Sequence, residues 1–171
     1  MSEKKTVFLT GASGNMGFAG FQELYQRKDQ FNLVLLNRGS DKNREKFKFY
    51  ANDPSVKLVW GDLTNYEDVL ACVTGADYIL HVGGMVSPAA DYFPKRTMKT
   101  NIGAIENIIR AIKAQPDPDA VKLVYIGTVA QTGDRNPPIH WAARAIRSRL
   151  VFTITMQSAK RSPRQRWLNL A

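Results

Sequence analysis

The stretch TVFLTGASGNMG, Thr6 to Gly17, decides the fold. Its first five residues form an apolar, β-branched run of strand length, and glycines follow at positions 11, 14 and 17. From Asn15 the pattern is helical as far as Arg27. A strand that turns through glycines into a helix aims unpaired backbone N–H groups and the positive end of the helix at the turn, which suits a phosphate. Gly11 fits a tight turn, Gly14 lets a pyrophosphate approach the backbone, and Gly17 lets helix pack closely on sheet. Ser13, Asn15 and Met16 lie among them and are expected to share the contact. A tight turn without a ligand has the same spacing, so the motif takes its meaning from its context.

That context is an alternation of strands and helices. NLVLLN (Asn32 to Asn37), VKLVW (Val56 to Trp60), YILHV (Tyr78 to Val82) and KLVYIG (Lys122 to Gly127) are near-continuous apolar runs, as expected of parallel strands covered on both faces. Helical patterns fill the gaps near Asn15 to Arg27, Arg44 to Tyr50, Tyr66 to Val73 and Thr97 to Ala114. In the last, Met98, Ile102, Ile105, Ile109 and Ile112 share one face, and Pro116 and Pro118 close the helix. The alternation predicts an α/β fold with a doubly wound parallel sheet, the Rossmann fold, over residues 1–141. At the end of the second strand a carboxylate would bind the adenosine ribose of NAD, whereas arginine accommodates the extra phosphate of NADP. Asn37, Arg38, Gly39 and Ser40 stand there, so the sequence predicts NADP in preference to NAD. The other reading of Arg38 is a solvated loop charge.

Composition narrows the function classes. The 171 residues suffice for about one domain, 44% are hydrophobic and 23% charged, and no run reaches the length of a membrane span. The amino-terminal apolar run, Val7 to Leu9, leads into the glycine loop rather than a cleavage site, so no signal peptide is expected. One cysteine, Cys72, excludes an internal disulfide framework and fits a cytoplasmic protein, with packing in a helix as its simplest role. The net charge of +9 raises the question of nucleic acid. Seven of the 24 basic residues, Arg144, Arg147, Arg149, Lys160, Arg161, Arg164 and Arg166, fall in residues 142–171 among no acidic ones, leaving the body close to neutral. Such a terminal excess argues against a nucleic-acid partner. The expected partners are a dinucleotide and a small-molecule substrate, with an oligomer left open and no membrane.

TGASGNMG after the first strand, GDLTN (Gly61 to Asn65) after the third, HVGG (His81 to Gly84) after the fourth and KTNIGAIENIIRAI (Lys99 to Ile112) in the following helix occur in order. With them the chain resembles the extended short-chain dehydrogenase/reductases, the epimerase and dehydratase group, over about residues 5–141. The resemblance implies that Asp62 and Leu63 border an adenine, that Val82, Gly83 and Gly84 line the cofactor, and that Asn101 sits beneath the active site. His81 also reads as a satisfied core histidine, and Asn101 as a residue that bridges backbone.

The same resemblance implies a hydroxyl residue after the fifth strand and a tyrosine with a lysine four places later. A phenol with a pKa near 10 needs such a neighbouring cation to act near neutrality. Thr128, five residues before Gly133, matches the hydroxyl position. No tyrosine of the chain has lysine at its fourth following place; Tyr92 with Arg96 comes nearest and lies before the long helix. The family pattern would continue with further strands and a substrate region, so the fold is expected to be incomplete on its carboxy-terminal side. Instead the chain gives AARAIRSRLVFTITMQSAKRSPRQRWLNLA. Permitted codons for ITMQSAK (Ile154 to Lys160), regrouped from the third base, encode Tyr-Tyr-Ala-Ile-Ser-Lys. The basic tail of residues 142–171 is therefore expected to be out of frame from near Trp141, or disordered. Its rivals are a strand at LVFTITM (Leu150 to Met156) and a basic contact to a phosphate surface. Two function classes follow: an NAD(P)-dependent enzyme part without turnover of its own, or a non-catalytic NADP sensor.

Overall fold

The computed structural model describes residues 4–127, so Thr128 and the tail of residues 142–171 lie outside the described residues. All described residues but 125–127 belong to one compact unit, which ends at Val124. Among the described residues five strands are present: β1 (Lys5–Thr10), β2 (Phe31–Asn37), β3 (Val56–Trp60), β4 (Tyr78–His81) and β5 (Lys122–Tyr125). The α-helices among the described residues are α1 (Asn15–Tyr25), α2 (Asp41–Phe47), α3 (Tyr66–Val73), the short α4 (Ala89–Tyr92) and α5 (Pro94–Lys113). The sheet order is β3-β2-β1-β4-β5, and β1 pairs in parallel with both β2 and β4, as β2 does with β3. This is the expected doubly wound architecture.

Two layers follow from the period-two alternation of the central strands. Val7 and Leu9 of β1 and Leu33 and Leu35 of β2 pack with Phe21 of α1 and Phe47 of α2 in one core cluster. Around Phe21 the rings of Phe18, Tyr25, Phe47 and Tyr50 gather at centroid distances of 4.7–6.0 Å. Phe8, Val34, Leu36 and Ile79 alternate with the first set and face the other way, to the side on which α3 meets β2. There Val69, Cys72 and Val73 of α3 meet Ala104, Ile105, Ile108, Ala111 and Ile112 of α5.

Three sequence expectations shift. The buried face of α5 is Ala104-Ile105-Ile108-Ala111-Ile112 rather than the isoleucine stripe, and Met98 is 60% exposed. Small alanines let α3 approach, so the contact line follows them. Helix α2 starts at Asp41 rather than Arg44, because the Ser40 hydroxyl accepts a hydrogen bond from the Asn43 N–H at 3.3 Å and caps it. Its far end tightens into a 3-10 turn at Lys48–Tyr50. Strands β3 and β5 are not buried throughout: Lys57 and Val124 are exposed, as on a sheet margin.

Candidate cofactor site

From β1 the chain moves outward to β2 and β3, then crosses back to β4 on the other side of β1. The carboxyl ends of β1 and β4 thus flank the switch point, where an open α/β sheet leaves a crevice. A cleft of about 710 Å³ opens there.

The glycine loop forms one wall. Gly11 has φ +72°, and a Cβ on it would stand 2.7 Å from the Gly83 backbone, so the exits of β1 and β4 meet main chain to main chain. A Cβ on buried Gly17 would run into the Gly11 carbonyl oxygen, which sets α1 tightly against the loop. Gly14 differs, since a Cβ there would meet only that same oxygen at 3.4 Å, and Gly14 lines the cleft. Helix α1 starts after Gly14 with no side-chain cap and no acidic residue in its first turn. Its leading N–H groups have no acceptor within the helix, and Ser13, Asn15 and Met16 line the cleft beside them. Lys46 of α2 braces the loop from behind, its Nζ donating to the Ser13 carbonyl at 3.0 Å and lying 3.9 Å from the Phe18 ring centroid.

A buried triad fixes the gap between β1 and β4. The Gly83 N–H donates to Thr10 Oγ1 at 3.0 Å, and the same hydroxyl shares a hydrogen bond with His81 Nδ1 at 2.8 Å. Burial lowers the His81 pKa to about 4, so the imidazole is neutral at pH 7. His81 is a satisfied core residue.

The third strand supplies the far wall. Asp62 Oδ1 accepts from the Thr64 N–H and hydroxyl, both at 2.8 Å. The Thr64 N–H is the largest cause of the lowered Asp62 pKa; desolvation opposes it, and the Thr64 hydroxyl and the charges of Arg38 and Arg96 add to it. Leu63 packs on Gly83, where its Cδ1 would be 2.9 Å from an added Cβ, and its carbonyl accepts from Asn107 Nδ2 at 3.0 Å.

At the tip of β2, Asn37 is 3% exposed and its carbonyl accepts from the Gly61 N–H at 2.9 Å, while its Nδ2 has no hydrogen-bond partner among the described residues. Arg38 beside it is exposed and lines the cleft. The structure therefore brings Gly11, Ser13, Gly14, Asn15, Met16, Gly17, Arg38, Asp62, Leu63, Val82, Gly83 and Gly84 to one cavity. Asn101 is apart from it: its Nδ2 donates to the Met85 carbonyl at 2.9 Å and its Oδ1 accepts from the Met85 N–H at 2.7 Å. It holds up the floor of the cleft after β4. Sequence reasoning missed Lys46, and it missed Arg96, Lys99 and Thr100 of α5, which also line the cavity. No group of metal-ligating side chains occurs among the described residues, and no helix among them is long and apolar enough to cross a membrane.

Comparison with known proteins adds the family. A UDP-glucose 4-epimerase of Rickettsia bellii is 29% identical over 111 residues, 63% of this chain and 32% of the relative. The UDP-glucose 4-epimerase of Rickettsia felis is 26% identical over 111 residues with the same shares. The chain thus spans about a third of the length of the curated relatives it matches. Among solved structures, Pen from Bacillus thuringiensis superposes with a TM-score of 0.67 at 24% identity, over 78% of this chain and 40% of that one. WbmH of Bordetella bronchiseptica, solved with NAD+, gives 0.59 at 21% identity, over 77% and 41%. Both likenesses show the fold. The sequence pattern of the NAD dependent epimerase/dehydratase family matches residues 7–149, past Trp141, and the chain belongs to that family.

Proposed function

We propose that the chain is the NADP-holding part of an epimerase/dehydratase-type oxidoreductase acting on a sugar nucleotide or another hydroxyl- or carbonyl-bearing small molecule. One observation carries the reading: the glycine loop, the uncapped start of α1 and the acid-free tip of β2 open onto a single cleft at the switch point. Gly11, Gly14 and Gly17, with Ser13, Asn15 and Met16, hold the pyrophosphate. Asp62 and Leu63 border the adenine, Arg38 meets the phosphate on the adenosine ribose, and Val82, Gly83 and Gly84 line the nicotinamide side above the Asn101 support. When bound, the nicotinamide supplies hydride transfer. The UDP-glucose 4-epimerase relatives favour the sugar nucleotide among the substrates.

Calorimetric titration with NADPH and NADH tests this. Tighter binding of NADPH is expected. Equal affinities, or tighter NADH, refute the preference, and binding of neither refutes the cofactor reading.

For proton transfer, Thr128 is assigned the substrate-orienting hydroxyl, and the tyrosine and lysine that would work with it are absent from the sequence. The 171-residue polypeptide therefore binds cofactor without turnover; measurable dehydrogenase or epimerase activity would refute this. The same absence favours a second reading, a non-catalytic NADP sensor. Resequencing the gene from the Val121 codon onward separates the two. A base gained or lost near Trp141 assigns the chain to an enzyme, and an intact frame favours the sensor.

A further inference from the structure

We propose that Lys46 is a positioning residue for the pyrophosphate of the dinucleotide: from behind the glycine loop it supplies the positive charge that the loop lacks, and it holds the Ser13 carbonyl away from the bound phosphates. The inference rests on the reading of the cleft as a dinucleotide site. It deepens that reading by naming the group that strengthens the hold on the part NAD and NADP share.

The glycine loop is uncharged. Residues 11–17 are Gly-Ala-Ser-Gly-Asn-Met-Gly, and α1 carries no basic residue as far as Tyr25. Backbone N–H groups orient a pyrophosphate at such a loop, but they bring no net charge to meet its own.

Lys46 is the cation bonded to that loop. Its Nζ donates to the Ser13 carbonyl at 3.0 Å, across 33 positions of the chain, and lies 3.9 Å from the ring centroid of Phe18 on α1. Ser13 lines the cleft, so the ammonium group is one residue removed from the cavity wall. Coulomb attraction falls only as the first power of distance, and a charge so placed acts on an anion at the loop without touching it.

The ammonium group also lacks a carboxylate. Among the described residues the ion pairs are Lys5 with Asp77, Lys28 with Asp53, and Lys48 with Glu45, and none involves Lys46. Half-buried between a carbonyl and a ring face, it is a cation without a counter-charge there until an anion occupies the loop.

The carbonyl matters as well. An oxygen aimed into a phosphate site repels the phosphate oxygens, and the bond to Lys46 commits that of Ser13 to the α2 side. The next N–H, that of Gly14, donates to the Gly11 carbonyl at 2.9 Å, so the turn is closed from within and held from α2.

The test is Lys46→Met in the full chain, which keeps an aliphatic stem on Phe18, titrated with NADPH, NADH and ADP over a range of salt concentrations, with circular dichroism confirming the fold. The expected result is a loss of about tenfold at low salt, by the same factor for all three ligands, that shrinks as salt screens the charge that was removed. Lys46→Arg should recover most of it. Should the methionine variant not fold, Lys46→Gln keeps an N–H for the Ser13 carbonyl without the charge, and the same salt-dependent loss is expected. A loss that does not change with salt would make Lys46 a brace alone and overturn the proposal. A loss confined to NADPH would put the charge on the ribose phosphate and overturn it too, as would three unchanged affinities. If the unaltered chain binds none of the three, the cofactor reading fails and this inference with it. If it binds them and the variant binds them as tightly, the cofactor reading stands and this inference alone falls.

Discussion

Alanine at Gly17 and alanine at Gly20 should move stability in opposite directions on one helix. At Gly17 the new methyl group meets the Gly11 carbonyl oxygen and lies 3.0 Å from the Ala12 nitrogen. Both obstacles are main chain, which cannot rotate aside, so either α1 lifts from β1 or the loop deforms. Overpacking of this kind costs about 1–3 kcal/mol, and a rigid obstacle places Gly17 near the upper figure. The gain in helix propensity, about 1 kcal/mol, offsets part of it and leaves a net loss of about 2 kcal/mol. Gly20 has nothing within 4 Å of its added methyl group, so only the propensity gain of about 0.5–1 kcal/mol operates. Urea unfolding followed by circular dichroism reads the difference. With a urea slope of about 2 kcal/mol/M, midpoints of the two variants should lie roughly 1.5 M apart, with the parent chain between them. Should Gly17→Ala unfold at or above the parent midpoint, the close approach of loop and helix is wrong, and with it the shape assigned to the phosphate wall.

Two further outcomes concern the core. His81 has its folded pKa lowered to about 4 by burial against an ordinary value of 6.5, so the unfolded chain binds the extra proton first. Its contribution is fully present above pH 6.5 and is lost as pH falls toward 4, at most about 3 kcal/mol; His81→Gln should flatten the stability profile across that window, and an unchanged slope would refute it. Asp53, held low chiefly by the hydrogen bond from Lys28, acts below this range and does not obscure it. Burial pushes the Cys72 thiol up to about 12, so iodoacetamide should label it at the rate of global unfolding. Rapid labelling under native conditions would contradict its packing between α3 and α5.

The parts of the fold that were legible are those whose signal is local. The glycine turn, the strand runs and the helix starts at Asn15 and Tyr66 are each written in a few adjacent residues. Ser40 before Asp41 and Pro94 at the first position of α5 were local signals too, and reading them as a cap and a helix start would have corrected both boundaries. The site was legible where a motif sits at a strand end, as with Asp62 or Gly83. It was not where residues arrive by packing. Lys46 belongs to the site because α2 lies behind the loop, and Arg96 because the start of α5 borders the cleft; neither position has a sequence pattern that distinguishes it from an ordinary surface cation. Burial of Ala104 instead of Met98 was likewise decided by the closeness of α3.

The Thr10–His81–Gly83 triad has a consequence for how the site comes into being. Its hydrogen bonds join residues 71 and 73 positions apart in the chain, and Gly11 meets Gly83 at the same place. The glycine loop therefore takes its final form only once β4 has docked beside β1, a closure across most of the sheet that is slow compared with local turn formation. A nascent chain that has emerged only through α3 carries the whole phosphate motif but lacks the wall of the cleft that Val82, Gly83 and Gly84 supply. Ligand affinity should thus arise in one late step, making dinucleotide binding a reporter for assembly of the whole sheet rather than for the motif that names it.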